Sequence, residues 1–311
     1  MNYLEFLEMI RDKVESTMGK GYEVNIHQVD KINDGQLQGI VIREMNQDIA
    51  PNIYLENYFE DYKKGKSIVD IVDEIITIYR NNKHPNIVID HINEYGPVKD
   101  KIFYKIINYK KNEKQLKNIP HYKMFDLAII FCLLVNRDSN GIGCITINQE
   151  LIEKWNVTSN DLYNDAQKNT PFLFPPKVKS MKEVIKSIIL KELSADENSE
   201  ETDEILSMLM DTSEDEHQMF VATNVDGING AAWLCYENEL ESFGKMINSS
   251  FYILPSSIHE VILVPSQEKM EPQTLLEMVK DVNNTQVADN EILSNNIYRY
   301  EKDEGKLTAL F

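Results

Sequence analysis

The apolar residues of this chain change period several times over its 311 residues, and the longest uninterrupted apolar run, 127–135, is nine residues long. A run of that length falls far short of the roughly 20 residues of a membrane-spanning helix and fits one buried central strand. Elsewhere the period switches between three-to-four and two. Tyr3, Phe6, Leu7, Ile10 and Val14 share one helical face, and Gly19 and Gly21 end that helix. Residues 22–29 and 39–43 alternate around Asn33-Asp34-Gly35, the pattern of a β-hairpin. Helices are expected over 55–63 and 67–80, the second capped by Ser67. The 127–135 strand is expected to pair with 143–147. Further helices are expected from Asn148 to Trp155, from Thr158 or Ser159 to about Asn169, and over 180–193. The last third reads as strands 219–223 and 231–236, helix 237–247, strands 251–254 and 259–264, helix 272–282, and a closing hairpin around Gly305. No repeat of 20–50 residues interrupts this order. The expected class is α+β, with mixed helices, mainly antiparallel strands and two domains.

Charge places the expected boundary. The formal net charge is −19, and residues 192–216 hold eleven acids and no Lys or Arg. An N-terminal domain over 1–193, an acidic linker over 194–216 and a C-terminal domain over 217–311 follow. Residues 99–123 hold eight lysines against Asp100 and Glu113. With 51 acids against 32 bases the chain is a poor collector of phosphates, so direct nucleic-acid binding is not expected, and anionic membranes repel the same field. The opening residues carry scattered charges and no unbroken apolar core, unlike a signal peptide, and the expected compartment is the cytoplasm. Cys132, Cys144 and Cys235 show neither a dense even set nor zinc spacing, and read as small buried hydrophobes.

Candidate chemistry concentrates in Phe-Tyr-Ile-Leu-Pro-Ser-Ser-Ile-His-Glu, residues 251–260. Ser256, Ser257, His259 and Glu260 are the side chains there with nucleophilic or acid–base character. His259-Glu260 starts like a zincin motif, yet Ile262 and Leu263 follow where the second histidine should stand, and the flanks are strand-like. A metal would have to be assembled from His259 and the distant His217 or Asp215. No glycine flanks the serines, so the hydrolase elbow is missing, and Pro-Ser-Ser reads as a turn. Asp226-Gly-Ile-Asn-Gly230 lacks both the phosphate-loop lysine and the acidic ladder of a calcium loop. His27, His84, His91 and His121 are isolated. No cofactor is expected.

Three stretches together carry a resemblance: Asp161-Leu-Tyr-Asn-Asp-Ala-Gln-Lys-Asn-Thr-Pro171, Met219-Phe-Val-Ala-Thr-Asn224 with Gly230-Ala-Ala-Trp233, and Phe251-Tyr-Ile-Leu-Pro-Ser-Ser-Ile-His-Glu260, whose Pro-Ser-Ser-Ile-His-Glu is the most specific piece. With them the chain resembles, over nearly its full length, a domain of unknown function from gut Gram-positive bacteria. The second half is weakly similar to another uncharacterised bacterial family, with Pro-Ser-Arg-Asp in the equivalent place. Neither resemblance implies an activity or assigns a residue role. The leading expectation is a cytoplasmic interaction or regulatory module with protein partners. A hydrolase or metal-assisted enzyme centred on Ser256, Ser257, His259 and Glu260 is the alternative. A ligand groove lined by Trp233, Tyr236 and Phe251 is a third, against plain core packing.

Overall fold

A computed structural model describes residues 1–33, 35–45, 52–82, 92–138, 141–193, 218–268 and 270–311. The chain divides into two compact units, Met1–Ile89 and Asp90–Phe311.

In the first unit, helix Tyr3–Met18 starts with a capping box. The Asn2 side chain accepts from the Glu5 N–H, and the Glu5 carboxylate accepts from the Asn2 N–H. Strands β1 (Tyr22–Lys31), β2 (Gly35–Glu44) and β3 (Asn52–Tyr54) form an antiparallel sheet in the order β1-β2-β3. Helices Glu56–Lys63 and Ile68–Asn82 follow, and the Ser67 hydroxyl caps the second by accepting from Asp70 N–H at 3.2 Å. Phe6, Ile10 and Val14 from the first helix meet Val24, Ile40 and Ile42 of the sheet and Ile71, Ile75 and Tyr79 of the last helix, all buried. The three- and four-residue spacing on the helices and the alternation on the strands therefore converge on one core.

The second unit holds two sheets. One contains β4 (Ile102–Asn108), β5 (His121–Met124), β6 (Leu127–Asp138) and β7 (Gly141–Thr146); β6 is central, with β4 on one edge and β5 and β7 on the other. The second sheet runs β13-β12-β10-β11-β9-β8, antiparallel throughout, with β8 (Pro176–Ser180), β9 (Phe220–Asn224), β10 (Phe251–Pro255), β11 (Val261–Pro265), β12 (Tyr298–Glu301) and β13 (Lys306–Ala309). The inward faces share a core in which Tyr104, Ile106, Ile129 and Phe131 join Phe251, Ile253, Leu263 and Tyr298. Helix Pro272–Thr285 covers the other face of the larger sheet through Leu275, Leu276 and Val279, against Tyr252, Leu254 and Val264. Helix Ser159–Leu173 guards the free edge of β4: Thr170 Oγ1 accepts the Tyr104 N–H at 3.1 Å, and Asn169 Nδ2 donates to the Ile102 carbonyl at 3.0 Å.

The α+β class with antiparallel strands stands. Several details differ from the sequence reading. Residues 231–236 do not form a strand; Gly230–Cys235 is a 3-10 helix wedged into the shared core, with Ala231, Ala232, Trp233 and Leu234 buried. An apolar run without polar alternation fits any fully buried element, and the small Ala-Ala pair admits a helical turn between two sheets. β11 begins at Val261, so His259 and Glu260 belong to the connection before it. β4, β5 and β8 were not expected from the sequence. β8 pairs with β9, joining in one sheet residues on either side of the acidic stretch, and the units divide at 89/90 instead of there. Nearly all of that stretch, with His217 and Asp215, lies outside the described residues, as do His84, His91 and Asp34 of the first hairpin. Among the described residues no helix is long and apolar enough to cross a membrane.

Candidate functional site

The connection 256–260 joins β10 to β11 and is tied by backbone hydrogen bonds to β9, the 3-10 helix and the segment around Glu291. Ser257 Oγ accepts the His259 N–H at 3.0 Å, and the Ser257 N–H donates to the Glu260 carbonyl at 3.3 Å. The Ile258 N–H donates to the Glu291 carbonyl at 2.9 Å, while its own carbonyl accepts from Ala231 N–H at 3.3 Å. Thr223 Oγ1 donates to the His259 carbonyl at 2.8 Å. His259 Nδ1 accepts from the Asn229 N–H at 3.2 Å, which places the imidazole proton on Nε2, 3.7 Å from Glu291 Oε1. Gly230 lies where these strands meet. A Cβ on it would stand 2.0 Å from Thr223 Oγ1 and 2.4 Å from the His259 carbonyl, so only glycine permits this approach.

This geometry does not assemble a hydrolytic centre. A nucleophile needs its hydroxyl on a base, and neither serine hydroxyl bonds the imidazole among the described residues. Ser256 Oγ reaches Glu260 Oε1 only at 3.5 Å. Both imidazole nitrogens of His259 face structural neighbours, and among the described residues no three His, Cys, Asp or Glu side chains group as a metal site. Asp226, another acid near the corner, is held by Arg137, whose Nη2 lies 2.7 Å and 2.5 Å from its two carboxylate oxygens. Trp233, Tyr236 and Phe251 are buried in the shared core. The Ser-Ser-Ile-His-Glu corner joins β9, the 3-10 helix, the β10–β11 connection and the segment around Glu291 in one hydrogen-bonded knot.

A second connection has the opposite character. Phe125 and Asp126 form a two-residue turn between β5 and β6, with Met124 paired to Leu127. Phe125 takes a φ of 56° at the first central position, where glycine is the usual occupant of a type II′ turn. Left-handed backbone costs a residue with a side chain about 1–2 kcal/mol. Asp126 holds the turn. Its Oδ2 accepts from the Ser294 hydroxyl at 2.5 Å and its Oδ1 from the Tyr298 hydroxyl at 2.8 Å. Burial, with Asp126 beside it, pushes the Tyr298 hydroxyl well above its usual range. Phe125 remains 39% exposed, its ring centroid 5.7 Å from that of Tyr298.

Phe125 stands at the lip of two clefts. One, of about 840 Å³, is lined among others by Tyr109, Leu276, the lysines Lys110, Lys123 and Lys280, and the acids Glu113 and Asp126. Lys123 Nζ lies 4.3 Å from the centroid of the Tyr109 ring. The other, of about 600 Å³, presents Glu237, Glu241, Asp303 and Glu304. A strained aromatic thus separates a lysine-lined cleft from a carboxylate-lined one. No motif announces this place; the available signal was Phe-Asp between two alternating runs, a turn-type pair with a bulky residue where glycine belongs.

No curated protein and no solved structure matches the chain. A family model does, described as a family of unknown function (DUF5688), over residues 3–302. That match spans both units and every strand of the larger sheet except β13, and the chain belongs to this family of unknown function, DUF5688.

Proposed function

We propose that the chain is a non-catalytic interaction module of the cytoplasm that receives an acidic segment of a partner protein in the lysine-lined cleft beside Phe125. The observation that carries this reading is the Phe125 turn itself: a large aromatic is kept in left-handed backbone, partly exposed, at the lip of that cleft. Strain of this kind persists only where the surroundings enforce it, and here Asp126 is fixed by Ser294 and Tyr298. Partly exposed aromatic residues are enriched at protein-binding patches and serve as their anchors. In a chain of net charge −19, the lining of this cleft holds Lys110, Lys123 and Lys280 against Glu113 and Asp126, a small positive excess that favours an acidic partner segment.

The test replaces Phe125 with a photo-crosslinking phenylalanine analogue in native lysate, with the same probe at Phe172, which is 83% exposed, as the reference. The expected result is a discrete adduct at position 125 whose crosslinked peptide is acidic and which disappears when Lys110, Lys123 and Lys280 are changed to Glu. Adducts no more selective than those at 172, or indifferent to charge reversal, overturn the reading.

A further inference from the structure

The larger sheet ends in β8 on one side and β13 on the other, and its two edges differ. On β13 the Leu310 N–H donates to the Ile297 carbonyl at 3.1 Å, which sets the alternation along the strand. Residues 306, 308 and 310 bond inward to β12, and the backbone N–H and C=O of Leu307 and Ala309 point out of the sheet. No further strand pairs with β13, and among the described residues these outward groups meet no other partner. The edge closes just beyond, where the Phe311 N–H donates to Asn296 Oδ1 at 3.0 Å. On β8 the bonds from Val225 N–H to the Pro175 carbonyl and from Met181 N–H to the Met219 carbonyl turn residues 176, 178 and 180 outward. Pro176 has no N–H and Ser180 N–H is taken by Glu183 Oε2 at 2.8 Å, so that edge is blunted. Helix Ser159–Leu173 covers the edge of β4. β13 has neither device.

This open edge runs from one cleft to the other. Leu307 lines the carboxylate cleft, Ala309 lines the lysine cleft, and Phe125 lines both. The carboxylate cleft sets Glu237, Glu241, Asp303 and Glu304 against Lys302. Asp303 and Glu304 form the exposed turn that leads into β13, and among the described residues no cation pairs with either. An occupant of the edge therefore meets negative charge at the Leu307 end and a positive excess at the Ala309 end. A strand laid antiparallel must bring its acids first and its cations last. The acidic turn, β13 and the lysine cleft of this same chain come in that order.

We infer that two copies of the chain pair through these edges, β13 antiparallel to β13, about a two-fold axis at Thr308. The inference rests on the cleft reading above and names its partner as a second copy. In this register Leu307 of each copy faces Ala309 of the other, and every outward N–H finds an outward carbonyl. Shifting the axis toward Ala309 would set Leu307 against Phe311, whose N–H Asn296 already holds. Gly305 of the second copy comes opposite Phe311, so its Asp303-Glu304 turn arrives at the lysine cleft, and the symmetry repeats that contact at the other end. The two six-stranded sheets become one continuous sheet, and the exposed edge disappears.

The test is sedimentation of the purified full chain at concentrations up to about 100 µM, where a small edge interface associates. The expected result is a reversible dimer of twice the 36.1 kDa chain mass. Ala309→Pro removes an outward N–H without touching the β12 ladder, and is expected to weaken the dimer roughly tenfold or more with the fold intact by circular dichroism. Lys123→Glu with Lys280→Glu should abolish self-association, and so should Asp303→Lys with Glu304→Lys, because each variant sets like charges together. An equimolar mixture of the two is expected to restore association, since both contacts are then of opposite sign, and that rescue shows both variants to be folded. A chain that stays monomeric over this range overturns the inference, as does a dimer indifferent to Ala309→Pro or a mixture of folded variants that stays apart. The lysate probe at position 125 separates the two readings. A monomeric chain that still crosslinks a foreign acidic peptide overturns the pairing alone, whereas an unselective adduct together with a monomeric chain overturns the cleft reading as well.

Discussion

Two strand connections of the second unit are opposites. The 256–260 corner holds two serines, a histidine and a glutamate, and two of these four side chains bond backbone: Ser257 Oγ accepts the His259 N–H, and His259 Nδ1 accepts the Asn229 N–H. The Phe125-Asp126 turn has one acid and one aromatic, yet it leaves the aromatic partly exposed, at a cost in backbone strain, between two oppositely charged clefts. Side-chain chemistry is thus a poor guide to availability. A polar group acts on a ligand only if the fold has not already used its hydrogen bonds, and a half-buried corner uses them where leaving them unmade would cost a desolvated polar group.

Three substitutions bear on that contrast. The largest effect is expected from Gly230→Ala at the corner, since the new methyl meets Thr223 Oγ1, the His259 carbonyl and, at 2.9 Å, the Asn224 nitrogen. Two of those three atoms are backbone and cannot rotate away, so a loss of about 3 kcal/mol or more is expected in urea unfolding. A loss under about 1 kcal/mol would mean that the corner is loose, and the contrast with the turn would collapse. Asp126→Ala comes next. It strips the acceptor from two buried hydroxyls, Ser294 and Tyr298, and is expected to cost about 2–3 kcal/mol. An unchanged denaturation midpoint would show that Asp126 does not hold the turn.

Phe125→Gly should have the smallest effect and the opposite sign. Relief of the left-handed strain outweighs glycine's larger entropy in the unfolded chain and the lost contact with Tyr298, giving a gain of about 0.5–1 kcal/mol. Thermal melting measures it, and a clear destabilisation would make Phe125 a packing residue and remove the basis for a functional turn.

Much of the fold was legible because it depends on local period and punctuation. The opening helix, the hairpin around residue 34, the helix capped by Ser67, the β6–β7 pair and the closing hairpin around Gly305 all follow from spacing plus a cap or a glycine. What escaped notice lay where charge masks period. β4 is Ile-Phe-Tyr-Lys-Ile-Ile-Asn inside a lysine-rich stretch, and β8 is the short, lysine-rich Pro-Lys-Val-Lys-Ser; neither was expected as a strand, and each takes its place through pairing with β6 or β9. Lys105 belongs to that lysine-rich stretch, yet the strand register sets it opposite Ile130, 25 positions away along the chain.

By itself, then, the sequence determined the α+β class, most helix and strand positions and the lack of any catalytic motif at fixed spacing. Those properties reside in neighbours along the chain, where period, caps and glycines act over a few residues. Only the tertiary structure decided that the serine–histidine corner is a knot of backbone hydrogen bonds and that Phe125 stands between two charged clefts. Each depends on strand register and on which face of a sheet is covered, and a shift of one residue in register would undo it.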